Sequence, residues 1–153
     1  MNNRSFAEYK FKFYLNASHS ITINGQQGQE HPHTWEMILD ILVPRNEFLQ
    51  FNQYERAIND YFKPFQNQYV NKIKPFDEII PTLENLVDYF GDHIREIIRA
   101  NGGELKSIEG SETPTRSYIV SYEEESDFIE NKQKFSAAAF DRITNNILDD
   151  ILS

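Results

Sequence analysis

Two stretches of the chain alternate between apolar and polar residues, and this alternation constrains the fold more than any other feature. In residues 7–19 every second residue belongs to a mainly apolar set, which is Ala7, Tyr9, Phe11, Phe13, Leu15, Ala17 and His19. In residues 31–43 the corresponding set is His31, His33, Trp35, Met37, Leu39, Ile41 and Val43. Because successive side chains of a strand point to opposite faces, both stretches are predicted to be half-buried strands. The polar, glycine-containing segment 20–30 is predicted to be a loop that joins them as an antiparallel pair.

The middle of the chain changes to a helical period. Two amphipathic helices are predicted. The first carries its apolar face over 51–65, with Pro64 expected to end or distort its last turn, and the second runs over 83–98 with Thr82 as a possible cap. Two further strands are predicted at 105–108 and 118–122, joined across 112–115, and a terminal helix over 135–152 carries Ala139, Ile143, Ile147 and Ile151. This order predicts an α+β domain with helices on one face of an antiparallel sheet.

Composition removes several classes of function. The chain has 15 basic and 24 acidic residues, a formal net charge of -9, so nucleic-acid binding is not expected. It contains no cysteine, which excludes disulfides, thiolate zinc sites and cysteine nucleophiles. Neither a secretory signal nor an apolar run of about 18 residues is found, so we expect no membrane span and a cytoplasmic location. Without repeats or linkers, residues 1–153 are predicted to form a single domain.

Three of the four histidines fall in one short region. His31 and His33 share one face of a predicted strand. His19 is the last residue of the preceding strand and lies on its mainly apolar face. Three imidazoles that converge from neighbouring strands suit zinc and leave an open coordination position for water or substrate. The alternative is that they are solvated histidines around a turn. His93, beside the apolar stripe of the second helix, is predicted to be a surface or packing residue.

Three motifs point to a known family. The segment 13–19 (FYLNASH), followed by His31-Pro32-His33, resembles the zinc signature of the 6-pyruvoyl-tetrahydropterin synthase and 6-carboxy-tetrahydropterin synthase family. Pro32 replaces the usual glycine. Residues 75–86 (PFDEIIPTLENL) resemble the start of that family's second helix, and residues 111–114 (SETP) resemble its "ETP" turn. The resemblance implies a tunnelling fold with a four-stranded antiparallel sheet, one zinc ion per subunit, and a homo-oligomer, a hexamer of two trimers. Residues 124–153 extend past the typical family end.

The resemblance also assigns roles to residues. The three histidines match the zinc ligands, and Glu112 matches the glutamate that anchors the pterin ring through two parallel hydrogen bonds. Thr82 and Glu84 match residues that line the same pocket. Without the resemblance, Glu112 would be interpreted as a surface carboxylate, and Thr82 and Glu84 as a helix cap and a solvated first-turn acid.

The family's catalytic groups are not retained. Gln27 stands where the family has a cysteine or glutamate base, and Gln66 and Asn67 replace an Asp-His pair. Amides keep hydrogen bonding but lose titration, so they cannot take up a proton as those groups do. Glu30, next to His31, could act as the base from a remodelled loop. It could equally be a solvated acid or a partner of a zinc-bound histidine.

Three hypotheses for function follow from this pattern. The first is a divergent zinc lyase that acts on a dihydropterin such as 7,8-dihydroneopterin triphosphate, with Glu30 or zinc-bound hydroxide as the base. The second is a non-catalytic or regulatory pterin-binding protein. The third is a scaffold subunit in which zinc only stabilises the fold. Retention of Glu112 disfavours the third hypothesis, because folding does not require a pterin anchor.

Overall fold

A computed structural model describes residues 4–45 and 50–152 of the chain. Residues 1–3, 46–49 and 153 of the predicted domain lie outside the described residues, as do the side chains of residues 139, 140 and 142. The elements in chain order are β1 (Phe6–His19), β2 (Thr22–Ile23), β3 (Gln26–Gln27), β4 (His31–Pro44), α1 (Phe51–Phe62), α2 (Leu83–Ala100), β5 (Glu104–Thr113), β6 (Arg116–Ser121) and α3 (Ser126–Leu152).

The main sheet has four antiparallel strands in the order β1-β4-β5-β6. β1 and β4 pair along their whole length, from Phe6 opposite Pro44 to His19 opposite His31. This register places the mainly apolar residues of both strands on the same face of the sheet, as the alternation predicts. The fold is therefore the α+β tunnelling fold that the sequence predicted.

The hydrophobic core lies between that sheet face and helices α1 and α2. The strands contribute residues that are almost fully buried, among them Leu15, Trp35, Met37, Leu39, Ile41 and Ile108. The helices contribute the buried side chains Tyr54, Ile58, Phe62, Leu86, Val87, Phe90, Ile94 and Ile98. No helix among the described residues is both long enough and apolar enough to cross a membrane.

The connecting loop and three element boundaries differ most from the prediction. The loop between β1 and β4 contains the two-stranded hairpin β2-β3. Helix α1 ends at Phe62, two residues before Pro64, so Phe65 of the predicted apolar face lies beyond the helix. Strand β5 continues to Thr113, so Glu112 lies in a strand and not in the connecting turn. Helix α3 begins at Ser126, well before the predicted start at Phe135, because its first turns are held by ion pairs that periodicity does not reveal.

The first turns of α3 are fixed to α2. Arg95 bonds Asp127 at 2.9 Å, and Arg99 bonds Asp127 at 3.1 Å and the buried Glu104 at 2.8 Å. Phe128 is buried in the same region. The last turns of α3 are exposed, with Ile143, Ile147, Leu148, Ile151 and Leu152 at the surface. The family resemblance offers no role for this extension.

A buried carboxyl group lies on the other face of the sheet. Asp40 is 8% exposed and hydrogen-bonds to Glu8, next to Lys10 and Lys106. Burial, and then the hydrogen bond to Glu8, raise the pKa of Asp40 to about 6. Since this value exceeds the ordinary 3.8 of the unfolded chain, the folded protein loses stability as the pH rises through about 6.

We therefore expect Asp40→Asn to stabilise the protein at neutral and higher pH. The amide keeps a donor for Glu8 and carries no charge to bury. At about pH 8 the variant is expected to melt roughly 2–4 °C above the wild type, and the difference should disappear near about pH 4. Thermal unfolding followed by circular dichroism across this range measures both values. Equal melting temperatures at both ends of the range would refute the expectation.

Candidate metal centre

The pairing of β1 with β4 brings the three histidines together. His19 ends β1 directly opposite His31, the first residue of β4, and His33 lies two residues further along the same face. One ring nitrogen atom from each histidine lies within 4.8 Å of the other two. His19 is buried, His33 is half-buried and His31 is exposed. The cluster is therefore open to solvent on one side and closed on the other, and it could hold a metal ion.

Backbone carbonyl groups set the tautomers of two of these rings. The Nδ1 atom of His19 lies 2.7 Å from the carbonyl oxygen of Pro81, and that of His31 lies 3.0 Å from the carbonyl oxygen of Gln29. A carbonyl only accepts, so both Nδ1 atoms carry the proton and both Nε2 atoms of the neutral rings have a free lone pair. Burial lowers the pKa of His19, which favours its neutral form.

This donor set fits a zinc ion. Neutral imidazoles with one nitrogen oriented by a carbonyl are the usual ligands of zinc in proteins, and three of them leave a position for a further ligand. Sequence analysis did not assign a role to Pro81, whose carbonyl group orients His19. The contact joins residues 62 positions apart, and local periodicity carries no signal for it.

Glu112 lies beside the histidine cluster. Its Oε1 atom is 3.7 Å from Nε2 of His19 and accepts a hydrogen bond of 3.1 Å from Nε1 of Trp35. Trp35 is fully buried, so it fixes the position of the carboxylate. Sequence analysis placed Trp35 on the histidine face of β4 but gave it no role. Its position, two residues after His33, was the available signal.

The other predicted residues form no hydrogen bond with the histidines within the described residues, and their roles stay predictions. Thr82 caps α2, and its Oγ1 atom accepts a hydrogen bond of 3.1 Å from the backbone of Asn85. Glu84 is exposed in the first turn of α2, and Glu30 is exposed beside His31. Within residues 4–45 and 50–152, neither carboxylate forms a hydrogen bond or an ion pair with the three histidines.

Gln66 is part of the sheet edge. Its Oε1 atom accepts a hydrogen bond from the backbone N–H of Asn16, and its Nε2 atom donates to the carbonyl oxygen of Tyr14, both at 2.9 Å. Asn67 adopts a positive φ of 61° and donates its own N–H to the carbonyl oxygen of Asn16 at 2.6 Å. The segment that follows α1 thus covers the end of the β1 edge, at Tyr14, Asn16 and Ser18, and this part of the edge needs an amide at position 66.

Gln66→Glu is accordingly expected to destabilise the fold. A carboxylate cannot donate to the carbonyl oxygen of Tyr14, so one hydrogen bond becomes a repulsive contact, at a cost of about 1–2 kcal/mol in the free energy of unfolding. Urea denaturation measures this cost. Gln68→Glu is the matched control, because the Gln68 side chain is exposed and bonds only to the carbonyl oxygen of Gln66, at 3.4 Å. Equal stability of the two variants would contradict the assignment.

Gln27 belongs to a polar cluster next to the histidines, the Ser20 cluster, made of Ser20, Gln27, Tyr69 and Asn71. Its Nε2 atom lies 3.1 Å from Oγ of Ser20 and 3.3 Å from the hydroxyl oxygen of Tyr69. Sequence analysis identified Gln27 but missed the other three members. Ser20 directly follows His19, whereas Tyr69 and Asn71 approach from the segment after α1, and no local pattern indicates that approach.

Comparison with known proteins gives a consistent result. The family model described as 6-pyruvoyl tetrahydropterin synthase matches residues 8–125. No curated protein matches the sequence. Among solved structures, Caenorhabditis elegans 6-pyruvoyl tetrahydropterin synthase is similar with a TM-score of 0.65 and 11% identity, covering 79% of this chain and 99% of that chain.

The corresponding Plasmodium falciparum protein is similar with a TM-score of 0.56 and 16% identity, over 76% of this chain and 98% of that chain. The Plasmodium vivax enzyme gives a TM-score of 0.56 at 13% identity with the same coverage. At these identities the structural likeness supports the fold. The family match ends at residue 125, just before α3 begins.

Proposed function

The chain belongs to the 6-pyruvoyl tetrahydropterin synthase family, and on that basis we propose that it is a zinc-dependent protein that binds a dihydropterin such as 7,8-dihydroneopterin triphosphate, with altered or lost catalysis. The observation that carries the proposal is the convergence of three imidazoles within 4.8 Å, with the Glu112 carboxylate 3.7 Å from His19. Three candidate metal ligands therefore lie next to a carboxylate that could accept hydrogen bonds from the edge of a heterocyclic ring.

His19, His31 and His33 would hold the zinc ion. When bound, zinc supplies Lewis acidity toward the hydroxyl oxygens of the ligand's side chain. Glu112 accepts two parallel hydrogen bonds from the amino-pyrimidinone edge of the pterin ring, and Trp35 keeps its carboxylate in place for that contact. Thr82 and Glu84, at the start of α2, remain predicted to line the pocket.

The altered chemistry follows from the amides. Gln27 donates its Nε2 protons to two hydroxyl oxygens, and Gln66 bridges two backbone groups of β1, so neither takes up a proton. Among the side chains, Glu30 is the remaining candidate base. Its carboxylate is exposed and forms no hydrogen bond or ion pair with the histidines in the described part of the chain, which favours the alternative of a non-catalytic or regulatory pterin-binding homologue.

Product analysis separates these two functions. The zinc-loaded protein is incubated with 7,8-dihydroneopterin triphosphate, and the mixture is analysed by mass spectrometry alongside a Glu30→Gln variant. Release of the side chain or of triphosphate that the variant loses would establish a lyase with Glu30 as its base. Unchanged substrate that co-elutes with both proteins would establish the binding function. Neither turnover nor retention would refute the pterin proposal.

We also propose that the protein is a cytoplasmic homo-oligomer, a hexamer of two trimers as the family resemblance implies. β1 and β6 are the two outer strands of the sheet, and edge strands favour pairing between subunits. Sedimentation equilibrium tests this assembly. A single species with the mass of one 18.0 kDa chain at all concentrations would refute it.

A further inference from the structure

The Ser20 cluster has a fixed pattern of hydrogen bonds around one hydroxyl group. Oγ of Ser20 lies 2.6 Å from the hydroxyl oxygen of Tyr69, 3.1 Å from Nε2 of Gln27 and 3.1 Å from Nδ2 of Asn71. The Asn71 amide has one possible orientation, because its Oδ1 atom accepts the backbone N–H of Ser20 at 2.9 Å. Its Nδ2 group therefore donates to Ser20, to the carbonyl oxygen at 2.9 Å and to Oγ at 3.1 Å.

Proton counting and burial together assign the direction of the bond between Ser20 and Tyr69. A hydroxyl group has one proton to donate and two lone pairs that accept. Either hydroxyl could donate in the bond between Ser20 and Tyr69, but Ser20 is 1% exposed and the two amide groups at its Oγ atom are donors, so the only acceptor for the buried Ser20 proton among the described residues is Tyr69. The Tyr69 oxygen accepts that proton and, at 3.3 Å, a proton of Gln27. The phenolic proton of Tyr69 is then the one left over. No acceptor for it is found in residues 4–45 and 50–152.

The Tyr69 hydroxyl group is linked to the proposed metal site through one residue. It bonds Ser20, which directly follows the candidate ligand His19 in the chain. Ser20 is 1% exposed and His19 is 2% exposed, whereas Tyr69 is half-buried and accessible to a ligand. Nζ of Lys72 lies 5.9 Å from the centre of the Tyr69 ring and adds positive charge there. An oxygen atom that is negatively charged or strongly polar matches this environment.

We propose that the Tyr69 hydroxyl group donates a hydrogen bond to an oxygen atom on the side chain of the bound pterin. This inference rests on the proposed function and adds a specificity-determining residue to it. Gln27 acts as a positioning residue, because its two donated bonds leave Tyr69 no acceptor inside the cluster. A carboxylate at position 27 would accept the Tyr69 proton and remove the donor from the ligand.

Binding measurements with two ligands test this role. The zinc-loaded wild type, Tyr69→Phe and Gln27→Glu are titrated with neopterin, which has a hydroxylated side chain, and with 6-methylpterin, which has no side-chain oxygen. Both variants are expected to bind neopterin about tenfold more weakly and 6-methylpterin less than about twofold more weakly. Tyr118→Phe is the control, since Tyr118 donates to Asp88 on α2, away from the Ser20 cluster.

The outcomes separate this inference from the proposed function. If the wild type binds neopterin and the variants bind it equally well, or lose affinity for both ligands alike, Tyr69 is not a donor to the side chain and only this inference is refuted. If the wild type binds neither pterin, the proposed function fails and this inference fails with it. Zinc content and melting temperature, measured for each variant, identify any loss caused by misfolding.

Discussion

Replacing His33 with alanine is expected to abolish stoichiometric zinc binding while leaving the fold intact. The wild type should retain about one zinc ion per chain after dialysis, and His33→Ala should bind zinc at least about 100-fold more weakly. His33 is half-buried at the rim of the cluster, and its side chain has no hydrogen bond in the described part of the chain whose loss would unfold it. Elemental analysis and competition with a chelator measure the change.

His93→Ala is the matched control for this experiment. His93 lies on α2, is exposed, and bonds the backbone of Tyr89, so its loss should leave the zinc content unchanged. His19→Ala should lose both zinc and stability, because His19 is buried and bonded to Pro81. If His33→Ala retained zinc with the affinity of the wild type, the three-histidine assignment would be wrong.

Glu112→Gln is expected to weaken pterin binding about 100-fold without changing zinc content. The amide keeps an acceptor oxygen for Nε1 of Trp35, so the local structure should survive. It cannot accept two hydrogen bonds from the amino-pyrimidinone edge, because one of its two groups donates. Titration of the zinc-loaded protein with neopterin, followed by ligand fluorescence, measures the affinity.

Glu109→Gln provides the comparison for Glu112. Glu109 lies on the same strand, and it accepts a hydrogen bond of 2.9 Å from Ser117 on β6 and not from the site. We expect its affinity for neopterin to equal that of the wild type. Equal affinities for the two glutamine variants would show that Glu112 does not hold the pterin ring.

The sequence was sufficient to predict the long strands and the histidine cluster, because both depend on a period of two. Alternation over residues 7–19 and 31–43 predicted β1 and β4, and equal parity predicted that His19, His31 and His33 share one face. The register then brings His19 opposite His31.

The side chain of Ala139, part of the apolar spacing predicted for α3, lies outside the described residues.

The short hairpin was missed although its signal was present. Asn24 and Gly25 join β2 and β3 with positive φ angles of 52° and 78°, the backbone that the Asn-Gly pair favours in a two-residue turn. Each strand has only two residues, which are too few to show an alternating pattern. Local chemistry, and not periodicity, was the information to use there.

Long-range contacts account for the rest of what sequence analysis missed. The carbonyl group of Pro81 reaches His19 from 62 positions away, and the hydroxyl group of Tyr69 reaches Ser20 from 49 positions away. Each depends on how the segments between α1 and α2 lie against the end of β1. No single stretch of sequence specifies that arrangement, which is a product of tertiary packing.

Metal-dependent binding of a dihydropterin is the central claim, and calorimetric titration with 7,8-dihydroneopterin tests it most directly. The same preparation is measured twice, once loaded with zinc and once stripped by a chelator. We predict saturable binding of one ligand per site to the zinc-loaded protein, and binding at least about tenfold weaker to the stripped protein. Equal heats and equal affinities for the two forms, or no binding to either, would contradict the account.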